Sequence, residues 1–252
     1  MPKRRAITFD FHDTLASCDA WFQLEVRSLP SSVVRRMLDR TLLSGAIPSE
    51  DEIDRTYRGL RAEIVGHGVE MDAVAGVEET LRRHGLDADR QTLAWIIDDL
   101  MREALDDVRP KPGAIETVRA LSAEGFVLGV VSSAVHHRFL LWTLDAFAIL
   151  PLFATVVTSA SAGFYKSRPE IYRQALDDLG VDASFTCHVG DSLRWDHLMA
   201  KSLGMRTVLV STGTLDLEPQ QPPPDLHLPS LVDAATAISA AAMLRSTSPS
   251  GR

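Results

Sequence analysis

The sequence predicts an α/β fold in which a doubly wound parallel sheet is interrupted by an inserted block of helices. Three observations predict it. Strand-like apolar runs at residues 6–10, 126–132, 154–158, 184–190 and 206–211 mostly alternate with helical patterns at 113–124, 138–147, 169–180 and 193–203, and βα alternation builds a parallel sheet. The run FVLGVV has no polar alternation, as suits a strand covered by helices on both faces. Between the first and second runs, residues 17–107 contain no convincing strand and read as several amphipathic helices, too long for a simple connection.

Each part of that division has its own signals. Residues 1–16 and 108–244 form the α/β core, residues 17–107 the helical cap, and residues 245–252 a frayed tail. Within the cap, Pro30 and the 45–48 turn break the early part. Ser49 with Glu52 forms a capping box before IDRTYRGLRAEI, and Asp72 and Asp87 are candidate starts of the next two helices. Arg109-Pro110-Lys111-Pro112 reads as a stiff, extended linker back to the core. Pro219 and the run 222–224 imply a surface loop before a last short strand and an Ala-rich helix at 231–244.

Composition narrows the class. At 252 residues, 45% hydrophobic and 24% charged, the chain is long and apolar enough for a sizeable core. A net charge of −8 argues against a broad nucleic-acid footprint. Lys3, Arg4 and Arg5 read as a solvated strand entry. Cys18 and Cys187 lie far apart and in no metal-like spacing, so they are expected as reduced thiols in the cytoplasm. The first apolar run is broken by Asp10 before a signal segment forms, and no stretch approaches membrane-spanning length.

The chemistry lies in four ordered pieces. Asp10 ends the first strand and is followed by Thr14, Ser132 ends VLGVVS, Lys166 precedes Pro169, and Asp191 ends TCHVG with Asp196 about one helical turn beyond. Carboxyl ends of strands are where open α/β sheets gather ligands. Taken singly, each residue has a plainer use: Asp191 as a helix N-cap, Ser132 in a turn, Lys166 as a surface charge. In this order they resemble the haloacid dehalogenase superfamily, with the helical block where that superfamily carries its type 1 cap.

The resemblance implies a Mg²⁺-dependent phosphatase of a small phosphorylated metabolite, acting as a monomer or homodimer. Asp10 would be the nucleophile, splitting one displacement into two through an aspartyl-phosphate. Asp10, Asp191 and the backbone carbonyl of His12 would hold the metal, with Asp196 either binding through water or orienting Lys166. Ser132, Ser133 and Thr14 would surround the phosphate, and Lys166 would neutralise charge in the transition state.

The sequence departs from that pattern at His12, where the superfamily's phosphatases usually place the aspartate that protonates the leaving oxygen. Imidazole either takes over that proton transfer or fills space, leaving a weak enzyme. Asp13 stands where glycine is common and is expected in a structural role. A 2-haloacid dehalogenase and a phosphate-binding regulatory module are the alternatives. In the cap, Arg55, Arg58 and Arg61 could meet an anionic substrate but are expected on a solvated helix face, and Trp21, Phe22 and Trp95 could line a pocket but are expected in core or cap packing.

Overall fold

The computed structural model describes residues 4–44 and 46–244. The first strand, β1 (Ala6–Phe9), is buried along its whole length. The chain then makes a two-residue strand β2 (Ala16–Ser17), passes through the helical block, and returns as β3 (Arg109–Pro110), which pairs antiparallel with β2. The expected linker is therefore extended, and it is tied to the point where the chain left the core. The strands β4 (Val127–Ser132), β5 (Phe153–Thr158), β6 (Thr186–Gly190), β7 (Arg206–Val210) and β8 (Leu226–Leu228) join β1 in a six-stranded sheet of order β5-β4-β1-β6-β7-β8. All its pairings are parallel.

This order makes β1 the switch point: the chain winds outward on one side through β4 and β5, and on the other through β6, β7 and β8. Phe9 sits level with Val130 of β4 and Val189 of β6, so the exits of the three strands lie side by side. Ligands of open α/β sheets bind in the crevice at such a point.

In the helical block, α1 (Asp19–Gln23) runs through a π-helical turn at Leu24–Ser28 into α2 (Leu29–Asp39), whose first turn holds Pro30. Proline is tolerated there because its missing N–H would be unpaired anyway. The capping box of α3 (Glu50–His67) forms as expected: Ser49 Oγ accepts from Glu52 N and Glu52 Oε2 accepts from Ser49 N, an arrangement worth about 1 kcal/mol. Asp72 caps α4 (Ala73–Arg83). The cap of α5 (Arg90–Ala104) is Asp89, where Asp87 was expected, because Asp89 Oδ2 reaches Thr92 N at 2.8 Å.

Outside that block, α6 (Ala114–Ala123), α7 (His137–Ala146), α8 (Ser159–Ala162), α9 (Glu170–Leu179), α10 (Met199–Ser202) and α11 (Ala235–Met243) follow in order. Two expected helices differ. Residues 193–203 begin as a π-helical turn, Leu193–Leu198, with His197 N on Ser192 O; the His197 ring is held by Thr207 Oγ1 and the Pro222 carbonyl, each at 2.7 Å. The last helix starts at Ala235 instead of 231, because Asp233 takes a positive φ of 52°. Arg5 is not simply solvated: its guanidinium donates to the Ala242 carbonyl and lies over the Phe185 ring. Lys3 and the expected tail at 245–252 lie outside the described residues.

The end of α3 is fastened to the core. Gly68 closes the helix at φ 77°, its carbonyl accepts from Tyr165 N at 3.0 Å, and Glu70 N donates to the Gly163 carbonyl at 2.9 Å. A Cβ on Gly68 would lie 2.3 Å from Arg168 Cγ, so the approach itself requires glycine. The cap helix is thereby set over the segment that carries Lys166.

Candidate active site

Asp10 follows β1 directly, and its N–H donates to the Val189 carbonyl at 2.8 Å. The loop after it is tight: Leu15 N and Ala16 N both bond to the Phe11 carbonyl, and Asp13 adopts φ 61°. Asp13 thus occupies a left-handed position of the kind glycine serves, which aspartate tolerates better than most residues. Asp191 follows β6. Ser192, not Asp191, caps the next turn, its Oγ accepting from Trp195 N at 3.1 Å, so the Asp191 carboxylate is not spent on capping.

The structure brings the distant pieces together. One carboxylate oxygen each from Asp10, Asp191 and Asp196 lie within 4.8 Å of one another. Lys166 Nζ donates to Asp10 Oδ1 at 2.5 Å and to Asp196 Oδ1 at 2.6 Å, and all three of these side chains are buried. Burial opposes charge on Lys166, but Asp10 and Asp196 outweigh it and hold the ammonium well above its ordinary range. Burial likewise works against Asp196, yet Lys166 and the hydrogen bond from His188 hold that carboxyl far below the usual range. Burial together with Asp196 raises Asp10 despite Lys166, and burial with Asp10 and Asp196 pushes Asp191 up to about 7. Three carboxylates thus share one ammonium, and Asp191 carries the uncompensated charge. A set of hard oxygen donors short of positive charge fits a hard divalent cation.

Two residues that support this arrangement carried no sequence signal strong enough to single them out. His188, in the middle of β6, is fully enclosed; its Nδ1 lies 2.8 Å from Thr8 Oγ1 and its Nε2 3.2 Å from Asp196 Oδ1. Burial lowers its pKa, and a neutral ring with Nε2–H donating to Asp196 and Nδ1 accepting from Thr8 satisfies both contacts. Gly190 is the other: a Cβ there would lie 2.4 Å from Asp196 Cγ, so the absence of a side chain lets Asp196 reach the cluster.

The cluster opens into a cavity of about 450 Å³ between the sheet's carboxyl edge and the helical block, within the size range of small-molecule sites. Its core wall includes Asp10, His12, Ser132, Ser133, Lys166, Asp191 and Asp196. Ser133 Oγ accepts from Lys166 N at 3.3 Å. Thr14 does not line this cavity; it is buried, its hydroxyl has no hydrogen-bond partner, and it borders a smaller crevice of about 250 Å³ on the other side of Asp191. His12 does line it, stacked on Phe22 with ring centroids 4.5 Å apart and planes 6° apart, its Nε2 buried and unpartnered. Burial lowers the His12 pKa, although Asp13 and Asp19 oppose the shift, so the ring favours the neutral form.

The wall from the helical block corrects several expectations. Trp21 is buried and borders the cavity, and Phe22 is partly exposed in it. Trp95 is 55% exposed, with the Arg40 guanidinium 4.0 Å from its ring, so it is not a core packing residue. Arg55 and Arg58 are surface residues paired with Asp51, as expected, but Arg61 is not. It turns inward, buried against Glu70 in a two-pronged pair with contacts of 2.5 and 3.1 Å.

Glu25 was not anticipated at all. It is 2% exposed and lines the cavity, with Oε1 accepting from Val135 N at 3.1 Å and Oε2 without a partner. A buried unpaired polar atom costs about 1–3 kcal/mol. The signal lay in the spacing: Trp21, Glu25, Leu29 and Val33 recur every fourth residue and all are buried, which puts a carboxyl on an otherwise apolar helical stripe.

Among the described residues no helix is long and apolar enough to cross a membrane, and both cysteines are free and buried. Residues 4–204 match the profile of the haloacid dehalogenase-like hydrolases. The chain is 28% identical over 222 residues to the glyceraldehyde 3-phosphate phosphatase of Methanopyrus kandleri, spanning 86% of this chain and 88% of that protein. Among solved structures it is similar to a 2-haloacid dehalogenase from Pseudomonas syringae, with TM-score 0.68 and 20% identity over 94% of this chain and 98% of that one. It is also similar to a haloacid dehalogenase-family phosphatase from Thermococcus onnurineus, with TM-score 0.62, 21% identity and the same coverage. With the profile matched across both the helical block and the residues that converge at the sheet edge, the chain belongs to the haloacid dehalogenase-like hydrolases.

Proposed function

We propose that this hydrolase is a Mg²⁺-dependent phosphomonoesterase of a small phosphorylated metabolite, with residues 17–107 acting as its cap. The observation that carries the reading is the meeting of Asp10, Asp191 and Asp196 within 4.8 Å of one another, with the Lys166 ammonium bonded to Asp10 and Asp196. The relatives named glyceraldehyde 3-phosphate phosphatase support phosphate-ester chemistry. Asp10, Asp191 and the His12 carbonyl would hold Mg²⁺, with Asp196 fixing Lys166. When bound, the ion offsets the repulsion between a carboxylate and a phosphate dianion.

Asp10 attacks phosphorus, forming the carboxylate O–P bond as the bond to the leaving alcohol breaks. Lys166 balances the charge on the transferring group, while the Ser132 and Ser133 hydroxyls donate to phosphate oxygens. His12 delivers a proton to the departing oxygen and then takes one from the water that hydrolyses the phosphoenzyme. Its depressed pKa makes the imidazolium a strong but scarce acid near neutrality. The buried thiols accord with a cytoplasmic protein, working as a monomer or homodimer.

Phosphate release from glyceraldehyde 3-phosphate and a wider monoester panel is expected with Mg²⁺ and is expected to vanish with a chelator. Release that persists without divalent ions would remove the metal from the mechanism, and halide release from a 2-haloacid under those conditions would favour the dehalogenase alternative. His12→Ala is expected to slow esters of poorly leaving alcohols by about 10²-fold or more, and an activated aryl phosphate much less. Equal losses on both would show that His12 transfers no proton.

A further inference from the structure

We propose that Glu25 is the residue by which the helical block selects its substrate: Oε2 donates a hydrogen bond to an uncharged carbonyl or hydroxyl oxygen on the alcohol part of a phosphate monoester whose remaining body is apolar. The proposal rests on the phosphomonoesterase reading and names the substrate class for that site.

The wall facing the phosphate end has few polar groups. From the helical block it consists of Trp21, Phe22, Val26, Ala62 and Val65, with Glu25 and Arg61. Arg61 is already committed to Glu70 through both terminal nitrogens, and Glu70 Oε1 also accepts from Met71 N. A carboxylate or second phosphate on the substrate would therefore have to break a buried ion pair to find a cation on this wall, and would approach the Glu70 carboxylate on the way. Charge is excluded, and most of the available surface rewards apolar contact.

On the helical-block wall two unpartnered polar atoms remain to fix orientation, Trp21 Nε1 and Glu25 Oε2, and of these only the carboxyl changes between donor and acceptor. Its Oε1 is occupied by the Val135 N–H, so a proton on the carboxyl sits on the partnerless Oε2. The charged or titratable groups that face it are Arg61 and Tyr57 of α3, Glu70 after that helix, and Cys18 before α1. Burial keeps the Tyr57 hydroxyl and the Cys18 thiol neutral. Burial, opposed by Arg61, pushes Glu25 up to about 8. Near neutrality the side chain is consequently a donor inside an apolar pocket, and above pH 8 it becomes an acceptor that repels a substrate carbonyl oxygen. Sites built to pair one polar group discriminate strongly against ligands that leave it unpaired.

The test uses the full chain with Mg²⁺ and alkyl phosphates of equal length ending in a methyl group, a methyl ketone or a carboxylate. The kcat/KM of the ketone is expected to exceed that of the methyl ester by about tenfold, and that of the carboxylate by about 100-fold or more. In Glu25→Ala the ketone-to-methyl ratio is expected to fall to about one, mainly through KM. Glu25→Gln keeps an acceptor for Val135 N–H and a permanent donor. It is expected to hold the ratio above pH 8, where the wild type loses it; using a ratio cancels the titration of the catalytic groups. A ratio unchanged in Glu25→Ala, or a carboxylate ester used best, overturns the assignment. Failure of the catalytic reading shows separately, as no Mg²⁺-dependent release from any ester. The dephosphorylated ketone and methyl alcohols are then titrated against the fluorescence of Trp21 and Trp195, both in the cavity wall. Tighter ketone binding that Glu25→Ala abolishes supports the proposal, and equal binding of the two alcohols refutes it.

Discussion

Under the proposed mechanism Asp10→Asn is expected to lower phosphate release by about 10³-fold or more, with the protein still folded. Asparagine has the shape of aspartate and still offers Lys166 an oxygen, but an amide does not form the acyl phosphate intermediate, so the two-step route closes. Removing a nucleophile that works as part of a unit costs about as much as dismantling the unit. The substitution also removes a carboxyl that burial and Asp196 disfavour as a charge while Lys166 favours it, so gain and loss offset and the midpoint is expected to move little. An unchanged unfolding midpoint beside a collapsed rate, read by thermal denaturation and phosphate release on one preparation, checks both halves. Retention of most of the activity would mean that water attacks phosphorus directly.

Lys166→Met damages both stability and rate. The ammonium is the only cation within hydrogen-bonding distance of Asp10 and Asp196 among the described residues, and it is 3% exposed. Its removal leaves two buried carboxylates facing each other beside Asp191, and breaking a buried pair from one side costs about 3–5 kcal/mol. For a chain of this size that corresponds to a fall in melting temperature of roughly 6–20 °C without added metal. The rate is expected to drop by about 10²- to 10³-fold even when the protein is kept folded at low temperature, because charge developing on the transferring group loses its neutralising partner. A variant as stable as the wild type would show that the carboxylates protonate and that the ion pair contributes little.

Strand exits were the legible part of this molecule. A βα alternation with Asp10, Ser132 and Asp191 at the ends of apolar runs foretells a crevice at a switch point, because parallel topology leaves those ends together. The structure seats them on the three central neighbours β4, β1 and β6. What stayed hidden depends on contacts between elements. Arg61 resembles Arg55 and Arg58 in spacing, and only the loop carrying Glu70 draws it inward. Trp95 looked like packing but lies on the outer side of α5. Asp89 displaced Asp87 as a cap because Thr92 is in reach of one and not the other. The π-helical turn at Leu24–Ser28 merges two helices that proline seemed to separate, and it puts Glu25 on the inner stripe. The every-fourth-residue spacing marks Glu25 as a member of an apolar stripe, but it does not say that the stripe faces a cavity.

The ribbon formed by Ala16–Ser17 and Arg109–Pro110 means that the polypeptide departs from the sheet and comes home through adjoining, mutually bonded positions. An excursion whose ends already touch asks little extra closure entropy of whatever lies between them, since that penalty grows only slowly with length. The helical block is therefore expected to behave as an exchangeable module: under the proposed function, a relative's block grafted between Ser17 and Arg109 is expected to change which alcohol is admitted while Asp10, Lys166 and Asp191 stay where the strands put them.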